Sequence, residues 1–92
     1  MAQTTIPRST LEDAHRHCRG YRAEIERSEL CGCFYCLGKF SRLRIEDWVD
    51  EPDSTQSAVC PQCAIDSVIG DASGYELSAQ FLSAMHHLWF KS

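Results

Sequence analysis

Leu30-Cys-Gly-Cys-Phe-Tyr-Cys-Leu-Gly38 and, further along, Cys60-Pro-Gln-Cys63 decide how this chain is read. Two residues separate Cys33 from Cys36 and Cys60 from Cys63, and 23 residues lie between the pairs. Two such loops can each aim two sulfurs at a common point about 2.3 Å away, which is the tetrahedral arrangement of a structural Zn²⁺ site. Cys33, Cys36, Cys60 and Cys63 are therefore the expected ligands of one structural zinc per chain. Four thiolates close the shell and leave no position for a reactive water, so the expectation is a non-enzymatic site with no catalytic residues. Cys31 is then a spare thiol beside the metal, read either as a half-buried hairpin residue or as a redox or ligand-exchange group.

Working outward, Gly38 offers the positive φ of a tight reversal, which makes the first cysteine pair the tip of a hairpin. Phe40, Ile45, Trp48 and Val49 supply strand material, and Asp50-Glu-Pro-Asp-Ser54 is a turn before Ser57-Ala-Val-Cys60, so a second hairpin follows. A short helix over Ile45 to Val49 competes with that strand. Ala64, Ile65, Val68 and Ile69 are spaced for one helical face, with Pro61 suited to a first helical position and Gly70 to a C-cap, which predicts a short helix after the second pair. Upstream, Leu11, Ala14, Cys18, Tyr21 and Ile25 keep one helical face, and Ser9 with Glu12 fits a capping box. Cys18 on that face reads as a core residue. Downstream, Ser78 can cap a helix whose Phe81, Leu82, Met85, Leu88 and Trp89 form an apolar stripe.

The resulting expectation is a single α+β domain over residues 1–92. It has a tail over 1–8, an N-terminal helix over 9–29, a treble-clef-like zinc core over 30–70 built from two hairpins and a short helix, and a C-terminal helix over 75–91. Hydrophobic residues make up 43% and charged residues 24%, the balance of a folded globular protein rather than a disordered one. A chain this short buries a small share of its surface, and a metal staple is one remedy. Six cysteines without an apolar leader segment suggest a cytoplasmic, metal-binding protein rather than a disulfide framework, and no stretch is long and apolar enough to suggest a membrane span.

Net charge is −4, unevenly distributed. Residues 1–44 hold eight of the nine Lys and Arg and five of the thirteen acids, a balance of +3 against −7 for the remainder. The basic half, with Arg16, Arg19, Arg22, Lys39, Arg42 and Arg44 beside Phe34 and Tyr35, suits nucleic acid as one partner class. The other is a protein, docked through the N-terminal helix and the aromatics Phe34, Tyr35 and Trp48. That helix face equally suits packing on its own domain or a homodimer, so monomer and homodimer both remain open. His15, His17, His86 and His87 read as surface or partly packed residues, since adjacent His86 and His87 do not share one helical face.

Paired knuckles of this kind also hold iron in rubredoxin-like sites, but there the second pair does not open a helix, which favours zinc. Treble clefs occur in HNH nucleases too, but no histidine lies between Cys31 and Val68 to hold their second metal. A thioredoxin-like role would need an α/β scaffold this pattern lacks. Finally, Cys31-Gly-Cys-Phe-Tyr-Cys36, the run from Ile45 through Trp48 to Asp50, Cys60-Pro-Gln-Cys-Ala-Ile-Asp-Ser-Val-Ile-Gly70 and the segment Phe81 to Phe90 resemble a group of small uncharacterised bacterial cytoplasmic proteins. The resemblance runs from about His17 to Phe90 and implies a bacterial cytosolic zinc-binding module with no assigned activity.

Overall fold

The computed structural model describes residues 6–90. Helices α1 (Arg8–His15) and α2 (Arg22–Arg27) lead into strands β1 (Leu30–Cys33), β2 (Lys39–Ser41), β3 (Trp48–Asp50), β4 (Gln56–Ala58) and β5 (Val68–Gly70), and α3 (Ala79–Phe90) closes the chain. Short 3-10 turns cover Arg16–Cys18, Arg42–Arg44 and Asp71–Ser73. One antiparallel sheet has the order β2-β1-β5, and β3 and β4 form a second, two-stranded one. Both expected hairpins are present, pairing Cys31 with Phe40 and Val49 with Ser57. The competing helix over Ile45 to Val49 is not formed.

The two faces of the larger sheet fill two cores. On one lie Leu11, Ala14, Cys18, Phe34, Ile69, Leu77, Phe81, Leu82 and Met85. On the other lie Ile25, Cys31, Cys33, Phe40, Ile45, Ala58, Cys60 and Val68. Alternation along β5 sends Val68 to one face and Ile69 to the other, the period of two that a strand imposes. Gly32 lies directly beneath Leu82, whose methyl groups would be 3.1 and 3.2 Å from any added Cβ, and this contact seats α3 on the sheet. Ser78 caps α3 as its position suggests, accepting from the Phe81 amide at 3.1 Å. The helix runs from Ala79 to Phe90 rather than from residue 75, and position 91 lies outside the described residues.

Three expectations are corrected. The single N-terminal helix over 9–29 is broken, because Gly20 takes φ +75° and the chain reverses there. Its amide donates to Ser57 Oγ at 2.7 Å, and an added Cβ would collide with Thr55. Leu11, Ala14 and Cys18 thus join one core and Ile25 the other, while Tyr21 is exposed. Four of the five residues expected on one helical face are thus packed within the domain.

The capping box is not formed either. Pro7 O accepts from Thr10 and Leu11 at 3.0 and 3.2 Å, so α1 starts at Arg8, inside the expected tail, and Glu12 pairs with Arg8. Residues 1–5 of that tail lie outside the described residues, whereas Ile6 packs against the core.

The third correction concerns the segment after Cys63. Ala64, at φ +66°, turns the chain so that Val68–Gly70 pairs with β1, with Cys31 opposite Gly70 and Cys33 opposite Val68. The short helix expected from Ala64 to Ile69, the element a treble clef carries at this place, is replaced by a loop and β5. Spacing alone did not separate the two, because the pairing that decides between them comes from a strand more than thirty residues away.

Candidate metal centre

Each cysteine pair occupies the same local turn. In the first, the Leu37 amide donates to Cys33 O at 2.8 Å and the Cys33 amide to Gly38 O at 3.0 Å. In the second, the Ala64 amide donates to Cys60 O at 2.9 Å and the Cys60 amide to Ile65 O at 2.9 Å. The first sulfur of each turn also accepts a backbone amide, Tyr35 N to Cys33 Sγ at 3.4 Å and Gln62 N to Cys60 Sγ at 3.3 Å. The residue after each second cysteine, Leu37 or Ala64, is left-handed with φ +66°. The positive φ expected at Gly38 belongs to its neighbour. Gly38 instead makes room for Gln62, whose side-chain amide would collide with a Cβ there.

The sheet and the second hairpin bring these turns face to face. The sulfurs of Cys33, Cys36, Cys60 and Cys63 all lie within 4.8 Å of one another. Cys33 to Cys63 measures 3.6 Å and Cys36 to Cys60 measures 3.8 Å. An ion at about 2.3 Å from four tetrahedral sulfurs sets an edge of about 3.8 Å, so both spacings fit a four-thiolate site. Tetrahedral sulfur is the donor set of zinc or iron. Since the second pair opens onto a strand, the fold argument that set iron aside no longer applies.

Burial grades the four cysteines. Cys33 and Cys60 are buried, Cys63 is partly covered and Cys36 is exposed. Loss of solvation pushes the Cys33 thiol well above its ordinary range. At Cys60 burial acts in the same sense, but the amides of Gln62 and Cys63 and the sulfurs of Cys63 and Cys36 outweigh it and lower the thiol. Amide bonds to sulfur favour the charged form, which is the form a metal needs.

The remaining cysteines stand apart. Cys31 is fully buried between Phe40 and Gly70, and burial raises its thiol to about 11. Cys18 is equally a core residue, raised to about 11 by burial. A reactive thiol at Cys31 finds no support in that environment. Among the described residues no other group of three or more His, Cys, Asp or Glu is close enough to hold an ion.

Three of the histidines are packed elsewhere, and His87 is exposed. His15 lies tilted against Trp89 with ring centroids 4.0 Å apart, and burial, then the charge of Arg19, lowers its pKa. His17 Nδ1 meets Glu24 at 2.9 Å, and His86 Nδ1 lies 3.1 Å from Phe34 O.

Of the aromatics proposed as a surface, Phe34 is buried, Trp48 is half-buried under the Arg22 guanidinium at 4.3 Å, and Tyr35 is exposed. Spacing missed the exposed end of α3, where Trp89, although part of the apolar stripe, and Phe90 reach solvent. The basic residues divide in the same way. Arg16 pairs with Asp13, Arg19 with Glu51 and Arg22 with Glu26, while no ion pair holds Lys39, Arg42 or Arg44 among the described residues. No helix among the described residues is long and apolar enough to cross a membrane. No family model, curated protein or solved structure matches the chain.

Proposed function

We propose that this chain is a cytoplasmic module built around a structural zinc ion, acting as a non-catalytic protein-interaction or regulatory unit. The observation that carries the reading is the convergence of the Cys33, Cys36, Cys60 and Cys63 sulfurs within 4.8 Å. Zinc there joins the turn between β1 and β2 to the loop between β4 and β5 and supplies folding free energy directly. Reduced thiolates of this kind persist in a reducing compartment.

Two exposed surfaces support the interaction role. Tyr35 packs edge-on against Phe90 at 4.9 Å, and both stay exposed beside Trp89. Leu43, 75% exposed, sits between Arg42 and Arg44. A photo-crosslinking residue placed at Tyr35 or Leu43 in the living cell should give discrete protein adducts, and one at Glu12 should not. Equal labelling at all three positions, or none at any, would contradict the reading.

Nucleic acid is the second reading, favoured only by Lys39, Arg42 and Arg44. The other arginines invoked for it are already matched by carboxylates. Fluorescence anisotropy with a labelled oligonucleotide at low salt decides it, because phosphate contacts would give an affinity that falls steeply with added salt.

A further inference from the structure

The four cysteines of the cluster are unequally exposed, and that asymmetry carries a consequence for oxidation chemistry. Of the six cysteines Cys36 alone is exposed, and Cys63 is partly covered. Cys18, Cys31, Cys33 and Cys60 are buried. A small oxidant in solution therefore meets Cys36 first, and the sulfur of Cys60, on the other knuckle, lies 3.8 Å from that of Cys36.

We propose that Cys36 is a modification site for hydrogen peroxide, and that its oxidation expels the metal by forming a disulfide with Cys60. This rests on the four-thiolate reading above. In the first step the Cys36 thiolate attacks one peroxide oxygen. The S–O bond forms, the O–O bond breaks, and the departing hydroxide takes a proton and leaves as water. Cys36 is then a sulfenic acid. In the second step the Cys60 thiolate attacks the Cys36 sulfur, the S–S bond forms, the S–O bond breaks, and a second water leaves after protonation. Two thiolates have lost two electrons to the peroxide. Two of the four ligands are gone, and the divalent ion departs.

The location of the disulfide gives the reaction its character. It joins the first knuckle to the second, as the ion did, so oxidation exchanges one cross-link between the β1–β2 turn and the β4–β5 loop for another. The oxidised, metal-free protein keeps the arrangement of β1 and β5, whereas the reduced, metal-free protein loses its staple. Cys31 and Cys18, buried in the two cores, take no part.

The test is hydrogen peroxide added to purified, zinc-loaded protein, with released zinc read by a colorimetric chelator and the disulfide located by peptide mass mapping. One zinc should be released per chain, leaving a metal-free chain two hydrogens lighter than the fully reduced metal-free one, with Cys36 and Cys60 in one linked peptide pair. Cys31→Ser should behave as wild type. Cys36→His, which retains a nitrogen ligand, should release zinc more slowly by roughly an order of magnitude. Zinc retained under excess peroxide, a first disulfide elsewhere, or equal release from Cys36→His would overturn the proposal. Should Cys36→His fail to fold, the mapped disulfide of the wild type decides alone. Zinc content before peroxide separates the two levels: a chain purified without zinc sinks the metal reading and this inference with it, whereas zinc bound and retained sinks only the inference.

Discussion

Leu37 and Ala64 hold the same place in two copies of one turn, each following the second cysteine of its pair and each at φ +66°. A side chain in that region costs roughly 1–2 kcal/mol, and only glycine escapes it freely. Both turns therefore carry strain, accepted where the sulfurs are aimed. Ala64 is exposed, so its methyl group contributes little packing.

Ala64→Gly should accordingly stabilise the zinc-loaded protein by about 0.5–1 kcal/mol, the relief of strain exceeding the added freedom of the unfolded chain. Thermal melts at fixed zinc concentration check this. An unchanged or lower midpoint would contradict the left-handed turn at Ala64.

At Gly20 the opposite outcome is expected. Its positive φ breaks the N-terminal helix, and Thr55 occupies the space of a Cβ. Gly20→Ala should cost about 2 kcal/mol or more, combining a strained backbone with a steric clash. Adding Thr55→Ala should recover the part due to the clash and leave the part due to φ. A Gly20→Ala variant as stable as wild type would restore the continuous helix over 9–29.

Glu51 supplies a pH test. Hydrogen bonds from Ser57 at 2.7 Å and Arg19 at 3.1 Å hold its carboxyl below the ordinary glutamate range. A depressed folded pKa stabilises the protein above the unfolded value of about 4.3, and that contribution disappears as pH falls through the folded value. The stability difference between wild type and Glu51→Gln should be largest near neutrality and shrink below about pH 4. Parallel curves for the two proteins through that window would remove the network from the account.

How much of this was legible follows from where each signal resides. The cysteine cluster was local text, since two residues between cysteines is what one turn requires. The two hairpins were marked by their turns, and Ser78 by its place before an apolar stripe. The break at Gly20 was hidden because the apolar spacing of Leu11, Ala14, Cys18 and Ile25 continues across it. The strand over Val68–Gly70 was hidden because its partner, β1, is distant in sequence. The left-handed residues were hidden by not being glycine. Which arginines stay uncommitted depended on tertiary contacts such as Arg19 to Glu51, 32 positions apart.

Cys60→Ser removes the buried ligand that accepts the Gln62 amide at 3.3 Å. With on the order of 10 kcal/mol of folding free energy tied to a structural zinc, the variant should be largely unfolded at neutral pH. Cys31→Ser, outside the cluster, should stay folded with its zinc. Near-UV circular dichroism separates the two, and a Cys60→Ser protein with a wild-type spectrum and no metal would contradict a structural role for the ion.

The central claim, one zinc held by Cys33, Cys36, Cys60 and Cys63, is tested most directly by native mass spectrometry of the purified protein combined with elemental analysis. The account predicts one zinc per chain, lost together with the folded charge-state distribution when a chelator is added. A folded chain that carries no metal, or that carries iron in place of zinc, would contradict it.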